Sequence, residues 1–264
     1  MSDDTPARTR LLHRIGKKFA VVTEDVRVGP IPLRFTRVAD PNRVLDEMAD
    51  AEALKEKLGV QRRPGDEVHL PYWAELWDSA YGVATWMVNR WTRDTNKPGH
   101  SAPALPEAPP RIASDVSRAM ANMNVLDLGC GMGLTGTVAA AMGARVTFAD
   151  LSADALLFAR LNALPFADQV RTRQLNWRTA RLEERFDLII GADILYERGQ
   201  WMYVEPFWRG HLKPDGTVLL GEPGRATGDY FIDWIASWPW TMERAAQSVP
   251  TRDKPIRLFL LTEK

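Results

Sequence analysis

From residue 124 onward, short apolar runs alternate with longer stretches whose apolar residues recur every three or four positions. The short runs predict buried strands, and the longer stretches predict helices that cover a sheet. Alternation of this kind predicts a parallel sheet with helices on both faces. We expect strands near Asn124–Leu128, Arg145–Asp150, Val170–Leu175, Phe186–Gly191 and Thr217–Gly221, and helices near Leu134–Ala141, Ala153–Leu164, Gln200–Leu212 and Asp229–Ser237.

The C-terminal end departs from this alternation. Thr241–Ser248 and Ile256–Thr262 both have strand character, and only a short polar loop joins them. Because a parallel pair needs a long crossover, these two strands are predicted to be antiparallel.

The N-terminal part has a different texture. Phe19–Val28 and Ile31–Val38 flank Gly29-Pro30 and predict a hairpin, whereas the first dozen residues are polar and are expected to be disordered. Asn42–Leu58 has helical spacing, with Asn42 as the candidate cap.

We therefore divide the chain into an N-terminal extension of residues 1–70, made of the hairpin and the helix, and a main domain of residues 71–264. A helix over Asp78–Trp91 opens the main domain. Thr95–Pro110 contains five prolines and is predicted to be a linker or an exposed loop within it.

Charge and composition exclude several classes of function. Lys+Arg and Asp+Glu both number 34, so the chain has no net charge and no chain-wide electrostatic footprint for nucleic acid. Cys130 is the only cysteine, which favours a reducing compartment, and we expect a cytoplasmic protein. No apolar run approaches the ~20 residues of a membrane span, and the N-terminus carries no signal core, so no membrane partner is expected. The oligomeric state is left open.

The most informative motif is a glycine-rich segment that follows the first predicted core strand, Val125-Leu-Asp-Leu-Gly-Cys-Gly-Met-Gly-Leu-Thr-Gly136. Glycines let the backbone adopt positive φ and approach a ligand closely, and the helix that follows offers free N–H groups. Gly131, Gly133 and Gly136 also fit the fingerprint of nicotinamide dinucleotides. However, Asp127 at the strand end would repel a pyrophosphate, whereas it suits a cationic ligand.

The pattern Asp-x-Gly-x-Gly-x-Gly is the first motif of class I methyltransferases, whose donor S-adenosylmethionine (SAM) carries a sulfonium and an ammonium. We therefore favour SAM over a nicotinamide cofactor. Asp150 ends the second strand 21 residues after Gly129, and an acidic residue at about this distance binds ribose hydroxyls in related folds. The alternative for Asp150 is a helix cap, but Ser152 can provide that cap without it.

With these motifs, the chain resembles the seven-strand protein-lysine methyltransferases, a family that includes the enzyme acting on electron-transfer flavoprotein β. The resemblance covers residues from Pro71 to the C-terminus. It implies a Rossmann-like α/β fold with a seven-stranded, mostly parallel sheet, helices on both faces and an antiparallel C-terminal hairpin. The segments that carry it are Pro71-Tyr-Trp-Ala-Glu-Leu-Trp-Asp-Ser-Ala80, the glycine loop through Asp150, Leu175-Asn-Trp177, Gly191-Ala-Asp-Ile-Leu-Tyr196 and Gly221-Glu-Pro-Gly-Arg225.

The resemblance implies a role for each matching residue. Asp193 and Tyr196, in an Asp-x-x-Tyr motif, would face the transferred methyl group and the nucleophile as catalytic residues. Arg225 is left between two alternatives, a functional contact or simply the start of a helix. Asn176 stands where many class I enzymes have an aspartate, and its amide oxygen can accept the same hydrogen bond from adenine. The expected cofactor-binding residues are Trp77, Asp127, Gly129, Cys130, Gly131, Gly133, Asp150, Leu151, Asn176, Trp177 and Ala192.

The motifs also bear on the acceptor. The Asn/Asp-Pro-Pro-Tyr motif of base N-methyltransferases is missing, Cys130 lies in the wrong loop for cytosine C5 chemistry, and only Glu197 is near the position of an arginine methyltransferase's glutamate pair. No metal is required. We expect a SAM-dependent methyltransferase acting on a protein lysine. A small-molecule N-methyltransferase and a non-catalytic SAM-binding interaction protein are the alternatives, since fold alone does not settle function.

Overall fold

A seven-stranded sheet forms the centre of the molecule in a computed structural model, which describes residues 5–60, 69–93 and 115–264. The strand order is β5-β4-β3-β6-β7-β9-β8. All neighbouring strands are parallel except β9, which is antiparallel to both β7 and β8. The strands are β3 (Asn124–Leu128), β4 (Arg145–Asp150), β5 (Val170–Gln174), β6 (Phe186–Ala192), β7 (Leu212–Glu222), β8 (Trp240–Gln247) and β9 (Ile256–Glu263).

Helices cover both faces of this sheet and enclose two apolar cores. One core contains Phe148, Phe158 and Met87, and the other contains Trp208, Phe231 and Phe259. The predicted fold class is confirmed, including the antiparallel C-terminal pair. The helices of this part are α3 (Asp78–Arg93), α4 (Leu134–Ala141), α5 (Ala153–Asn162), α6 (Trp201–His211) and α7 (Ala226–Ile235).

The described residues from Thr5 onward form a helix, which corrects the expectation of disorder for that part of the first dozen residues. Helix α1 (Pro6–Gly16) begins after Thr5, whose side chain accepts a hydrogen bond from Arg8 N at 3.2 Å. Ile15 is buried in the first apolar core, so the short polar segment is held by packing that its composition does not reveal.

The predicted hairpin is confirmed as strands β1 (Val21–Val28) and β2 (Ile31–Val38), an antiparallel pair. The following helix is α2 (Pro41–Lys57), and its cap is Asp40 rather than Asn42. Proline is favoured at the first helical position because it needs no partner for a missing N–H, so the residue before Pro41 becomes the cap.

Asn162 at the end of α5 connects the hairpin to the main sheet. Its side-chain oxygen accepts from Thr36 N at 2.7 Å, and its amide donates to Thr36 O and Met132 O, both at 2.9 Å. Met132 belongs to the glycine loop, and Val38 N of β2 also donates to its Sδ atom at 3.4 Å, so the hairpin packs directly against the loop. The division of the chain at residue 70 stays a prediction.

Strand β7 starts earlier than the sequence predicted. Strand β7 begins at Leu212 rather than Thr217, and its register against β6 shifts between Phe186 and Leu188. The predicted proline-rich loop at Thr95–Pro110 lies outside the described residues. Among the helices within the described ranges, none has the length and apolar character needed to cross a membrane.

Candidate active site

A cavity of about 870 Å³ opens where the carboxyl ends of the central parallel strands meet. In open parallel sheets this edge, next to the point where the strand order reverses, is where ligands bind. The cavity is lined by every residue that the sequence assigned to the site except Asp127, namely Trp77, Gly129, Cys130, Gly131, Gly133, Asp150, Leu151, Asn176, Trp177, Ala192, Asp193 and Tyr196.

The glycine loop connects β3 to α4 in a conformation that requires glycine. Gly129, Gly131 and Gly133 have φ values of 67°, 52° and 83°. A Cβ at Gly133 would also lie 2.7 Å from the Cβ of Ala159 on α5. The loop therefore passes close to α5, and α4 begins directly behind it at Leu134.

Asp127 does not face the cavity, which corrects the expectation that it contacts the ligand. Its Oδ2 atom accepts a hydrogen bond from Gly136 N, inside α4, at 2.8 Å, and the residue is buried. The side chain therefore points toward the start of α4 and away from the cavity. Burial raises the pKa of Asp127 to about 7, and the nearby carboxylate of Asp150 adds to the rise.

Asp150 ends β4 on the opposite side of the loop. Its Oδ2 atom accepts from Gly131 N at 2.9 Å and its Oδ1 atom accepts from Ser152 N at 2.8 Å. Burial raises the pKa of Asp150. Ser152 caps α5 by accepting from Ala155 N. Each carboxylate oxygen keeps a further lone pair for a ligand hydroxyl.

Asn176 and Trp177 follow β5 and form one wall of the cavity. Asn176 Oδ1 accepts from Arg178 N at 2.9 Å, so one of its lone pairs is already used. Trp177 Nε1 donates to Gln200 Oε1 at 3.1 Å, which fixes the plane of the indole. A Cβ at Gly129 would lie 2.8 Å from Ile194 Cγ2 and 3.8 Å from Trp177 Cζ3, so glycine lets the loop pass close to both side chains.

Asp193 stands at the end of β6 in a left-handed conformation, with φ of 61°, which is uncommon for a residue other than glycine. The residue is only 8% exposed. It pairs with the guanidinium of Arg225, and its Oδ2 atom accepts from Ser79 Oγ at 3.3 Å. Burial raises the pKa of Asp193, and Arg225 opposes part of that rise.

Arg225 stands at the start of a helix, which was one of the two alternatives, and its side chain also reaches the cavity. It is the N-cap residue of α7, and its side chain also lines the cavity and binds Asp193. Its guanidinium carbon lies 5.6 Å from the centre of the Trp77 ring. The match of Gly221–Arg225 to the family stretch was the signal for this contact, but the partner, 32 residues away, could not be read from the sequence.

Aromatic side chains surround the mouth of the cavity. Trp77 Nε1 donates to Tyr72 O at 2.9 Å, and the Tyr72 ring meets the Tyr196 ring edge-on with centroids 5.5 Å apart. Tyr196 is 44% exposed. Loss of solvation raises the pKa of its hydroxyl to about 12, so the phenol is neutral at physiological pH. Sequence reasoning missed Tyr72 although it lies inside the matching Pro71–Ala80 segment.

A family model described as lysine methyltransferase matches residues 67–231. The chain belongs to this family. The matched residues include the glycine loop, Asp150, Trp177, Asp193 and Arg225. The resemblance inferred from the sequence motifs is thereby confirmed.

Individual relatives agree at the level of methyl transfer. The chain is 44% identical over 82 residues to protein N-lysine methyltransferase METTL21A of Xenopus tropicalis, covering 28% of this chain and 37% of the relative. It is 31% identical over 149 residues to ubiquinone biosynthesis O-methyltransferase of Xanthomonas campestris pv. campestris (strain B100), covering 55% and 61%. The matches thus span well under half of the first of these curated relatives and about three fifths of the second.

Among solved structures, a putative RNA methyltransferase, PH1948 from Pyrococcus horikoshii, superposes with a TM-score of 0.50 at 13% identity. The match covers 80% of this chain and 98% of the other. At this identity the likeness concerns the fold alone.

The residues around the cavity fit SAM. The loop lies close to the Trp177 indole because residue 129 has no side chain, and Asp150, which also lines the cavity, has unused lone pairs. The acidic side chain of Asp150, which lines the cavity beside the glycine loop, suits a cationic donor better than a pyrophosphate.

Proposed function

We propose that this protein transfers a methyl group from SAM to the side chain of a lysine in a protein substrate. The observation that carries the proposal is the placement of Asp193. It is a buried carboxylate in a left-handed conformation at the end of β6, and it lines the same cavity as the glycine loop. At the carboxyl end of a central parallel strand, this group would orient the incoming amine.

The two halves of the cavity support different tasks. Asp150, Trp177 and the glycine loop would hold the cofactor, while Asp193 and Tyr196 would hold the acceptor. The mouth is open to solvent, because Tyr72 and Tyr196 are 40% and 44% exposed, which suits a side chain that enters from a large partner. Ring faces such as that of Trp77 can also stabilise a cationic side chain.

Positioning is the main chemical task of this chain. Bound SAM supplies an electrophilic methyl group, which the acceptor nitrogen takes with its lone pair while the electron pair of the broken bond stays on sulfur. Alignment of the reacting groups can provide much of the rate. Asp193 would accept a hydrogen bond from the amine and hold its lone pair in line, and the neutral Tyr196 hydroxyl would close the acceptor side.

A small-molecule acceptor is the second candidate function. The similarity to a ubiquinone biosynthesis O-methyltransferase extends over 55% of this chain, more than the similarity to the protein N-lysine methyltransferase. The identity is higher for the latter, and the cavity mouth is lined by exposed rings rather than closed over. For these reasons the protein substrate is preferred.

The test begins with calorimetric titration of the purified protein with SAM. Labelled-methyl transfer into a lysate of cells lacking this protein follows, with the Asp193→Asn variant as matched control. Label in protein that mass spectrometry locates on lysine, lost with the variant, supports the proposal. Label confined to small molecules supports the second candidate. Tight SAM binding with no transfer at all would show a binding protein without catalysis and overturn both.

A further inference from the structure

Arg225 places a positive charge in the acceptor half of the cavity, next to the carboxylate expected to receive the acceptor amine. The guanidinium pairs with Asp193 and lies 5.6 Å from the centre of the Trp77 ring. An anionic side chain next to an aromatic face would normally attract an ammonium group. In this protein, the chain's own arginine already occupies that environment.

The position of Arg225 is built by a buried network. Glu222, 1% exposed, accepts from Arg225 N at 2.5 Å and from Gly224 N at 2.9 Å. Arg257 donates to Glu222 at 2.6 Å and to the carbonyl oxygen of Arg225 at 2.8 Å. Hydrogen bonds to both the N–H and the C=O group of Arg225 therefore fix the turn that carries it.

This arrangement answers a chemical difficulty of lysine methylation. A lysine with an ordinary pKa of about 10.4 is neutral in only about one molecule in a thousand near pH 7.4. An unpaired buried carboxylate would lower the neutral fraction further, because it stabilises the ammonium form, which has no lone pair. A neighbouring cation has the opposite effect and favours the neutral amine.

We propose that Arg225 is a positioning residue for the reaction: by pairing with Asp193, it prevents that carboxylate from trapping the acceptor as an ammonium ion and leaves it as a hydrogen-bond acceptor for the neutral amine. The inference rests on the proposed lysine substrate. The ammonium loses one proton to solvent before its nitrogen attacks. Ser79 and Arg225 use both lone pairs of Asp193 Oδ2, and Arg225 uses one of Oδ1, so the remaining lone pair of Oδ1 accepts the amine N–H.

Other ionisable groups also face the acceptor space. Glu222 lies behind Asp193 and adds negative charge, but Arg257 pairs with it. Arg225 is thus the cation in direct contact with Asp193 among the described residues. The remaining ionisable side chains that line the cavity are His69, Tyr72, Glu75, Cys130, Asp150, Arg178, Tyr196 and Glu197.

The first test measures binding of n-butylammonium, a lysine side-chain mimic, to the protein saturated with S-adenosylhomocysteine. Near pH 7, Arg225→Gln should bind it about tenfold more tightly than the unchanged protein, because Asp193 loses its counter-charge. Arg225→Lys should restore weak binding. Arg198→Gln removes an exposed arginine that does not line the cavity and should have no effect. Equal affinity in all four proteins, or no binding in any, overturns the proposal.

The second test uses the pH dependence of lysine labelling by the same variants. Arg225→Gln should lower kcat near neutral pH with a lower KM, and its rate should recover about one pH unit further into the alkaline range. Arg225→Lys should keep the original profile. A faster rate in Arg225→Gln at neutral pH would show that Arg225 merely obstructs the acceptor and would contradict the inference. If the unchanged protein labels no lysine, the proposed function fails, while the butylammonium comparison still decides whether Arg225 excludes an ammonium.

Discussion

The two halves of the cavity use acidic residues in different ways. In the cofactor half, Asp127 and Asp150 accept hydrogen bonds from backbone N–H groups only 9 and 19 residues away, and they hold a glycine loop in shape. In the acceptor half, Asp193 binds side chains 114 and 32 residues away. The first half is a local motif supported by backbone. The second is assembled from side chains of separate elements, so its charge balance depends on the whole fold.

The largest effects should separate these halves by function. Asp150→Ala removes the acceptor for Gly131 N and the expected ribose contact, so SAM affinity should fall by about 100-fold or more. Asp193→Asn keeps the shape of the acceptor half, so SAM affinity should stay within about threefold while methyl transfer falls at least about 100-fold. Calorimetry with SAM and labelled transfer measure the two quantities.

This comparison breaks down if both substitutions weaken SAM binding equally. Such a result would mean that Asp193 supports the cofactor and that the division of the cavity is wrong. The melting temperature of each variant without ligand serves as the control for general loss of structure.

Within the cofactor half, the glycines should differ in how much stability they confer. Gly133→Ala combines a positive φ with a Cβ only 2.7 Å from that of Ala159, and it should cost about 4 kcal/mol of unfolding free energy. Gly131→Ala also has a positive φ, but its Cβ would come no closer than 3.5 Å to Trp73 O, so it should cost about 1 kcal/mol. Urea unfolding without cofactor measures both, and equal losses would contradict the role of α5 packing.

The same contrast explains what the sequence could predict. Strands β3 and β4 and helix α4 were placed at their observed limits, because periodicity and the glycine motif are local. The pairing of Asp193 with Arg225, and the direction of the Asp127 side chain, depend on contacts between distant elements. The start of α1 was missed for a related reason, since Ile15 is held by the tertiary core rather than by its polar neighbours.

Asp127 predicts a pH dependence of stability that belongs to the cofactor half. The pKa of this buried carboxyl is about 7, above the ~3.9 of an unfolded chain, so the native state binds a proton that the unfolded state has lost. The stabilisation that Asp127 contributes is therefore complete below about pH 4 and is lost as the pH rises through 7. Between about pH 6 and 8, the loss attributable to this group is roughly 1.4 kcal/mol.

Asp127→Asn should flatten this slope while keeping an acceptor for Gly136 N. Urea unfolding at both pH values, without cofactor, measures the difference. A shallower decline should remain in the variant, because burial raises the pKa of Asp150 in the same direction. An unchanged slope would mean that Asp127 stays ionised beneath the loop throughout this range.

The smallest effect tests how far the cofactor half depends on a single side-chain contact. Trp177→Phe keeps an aromatic wall but removes the hydrogen bond from Nε1 to Gln200 Oε1. A hydrogen bond of this kind contributes about 1 kcal/mol, so SAM affinity should fall roughly fivefold, with kcat unchanged. Gln200→Ala, which removes the same acceptor, should give a similar loss. If Trp177→Phe instead weakened SAM binding as much as Asp150→Ala, the cofactor half would depend on side-chain contacts as much as the acceptor half does. The contrast between a half held by backbone hydrogen bonds and a half held by side chains would then fail.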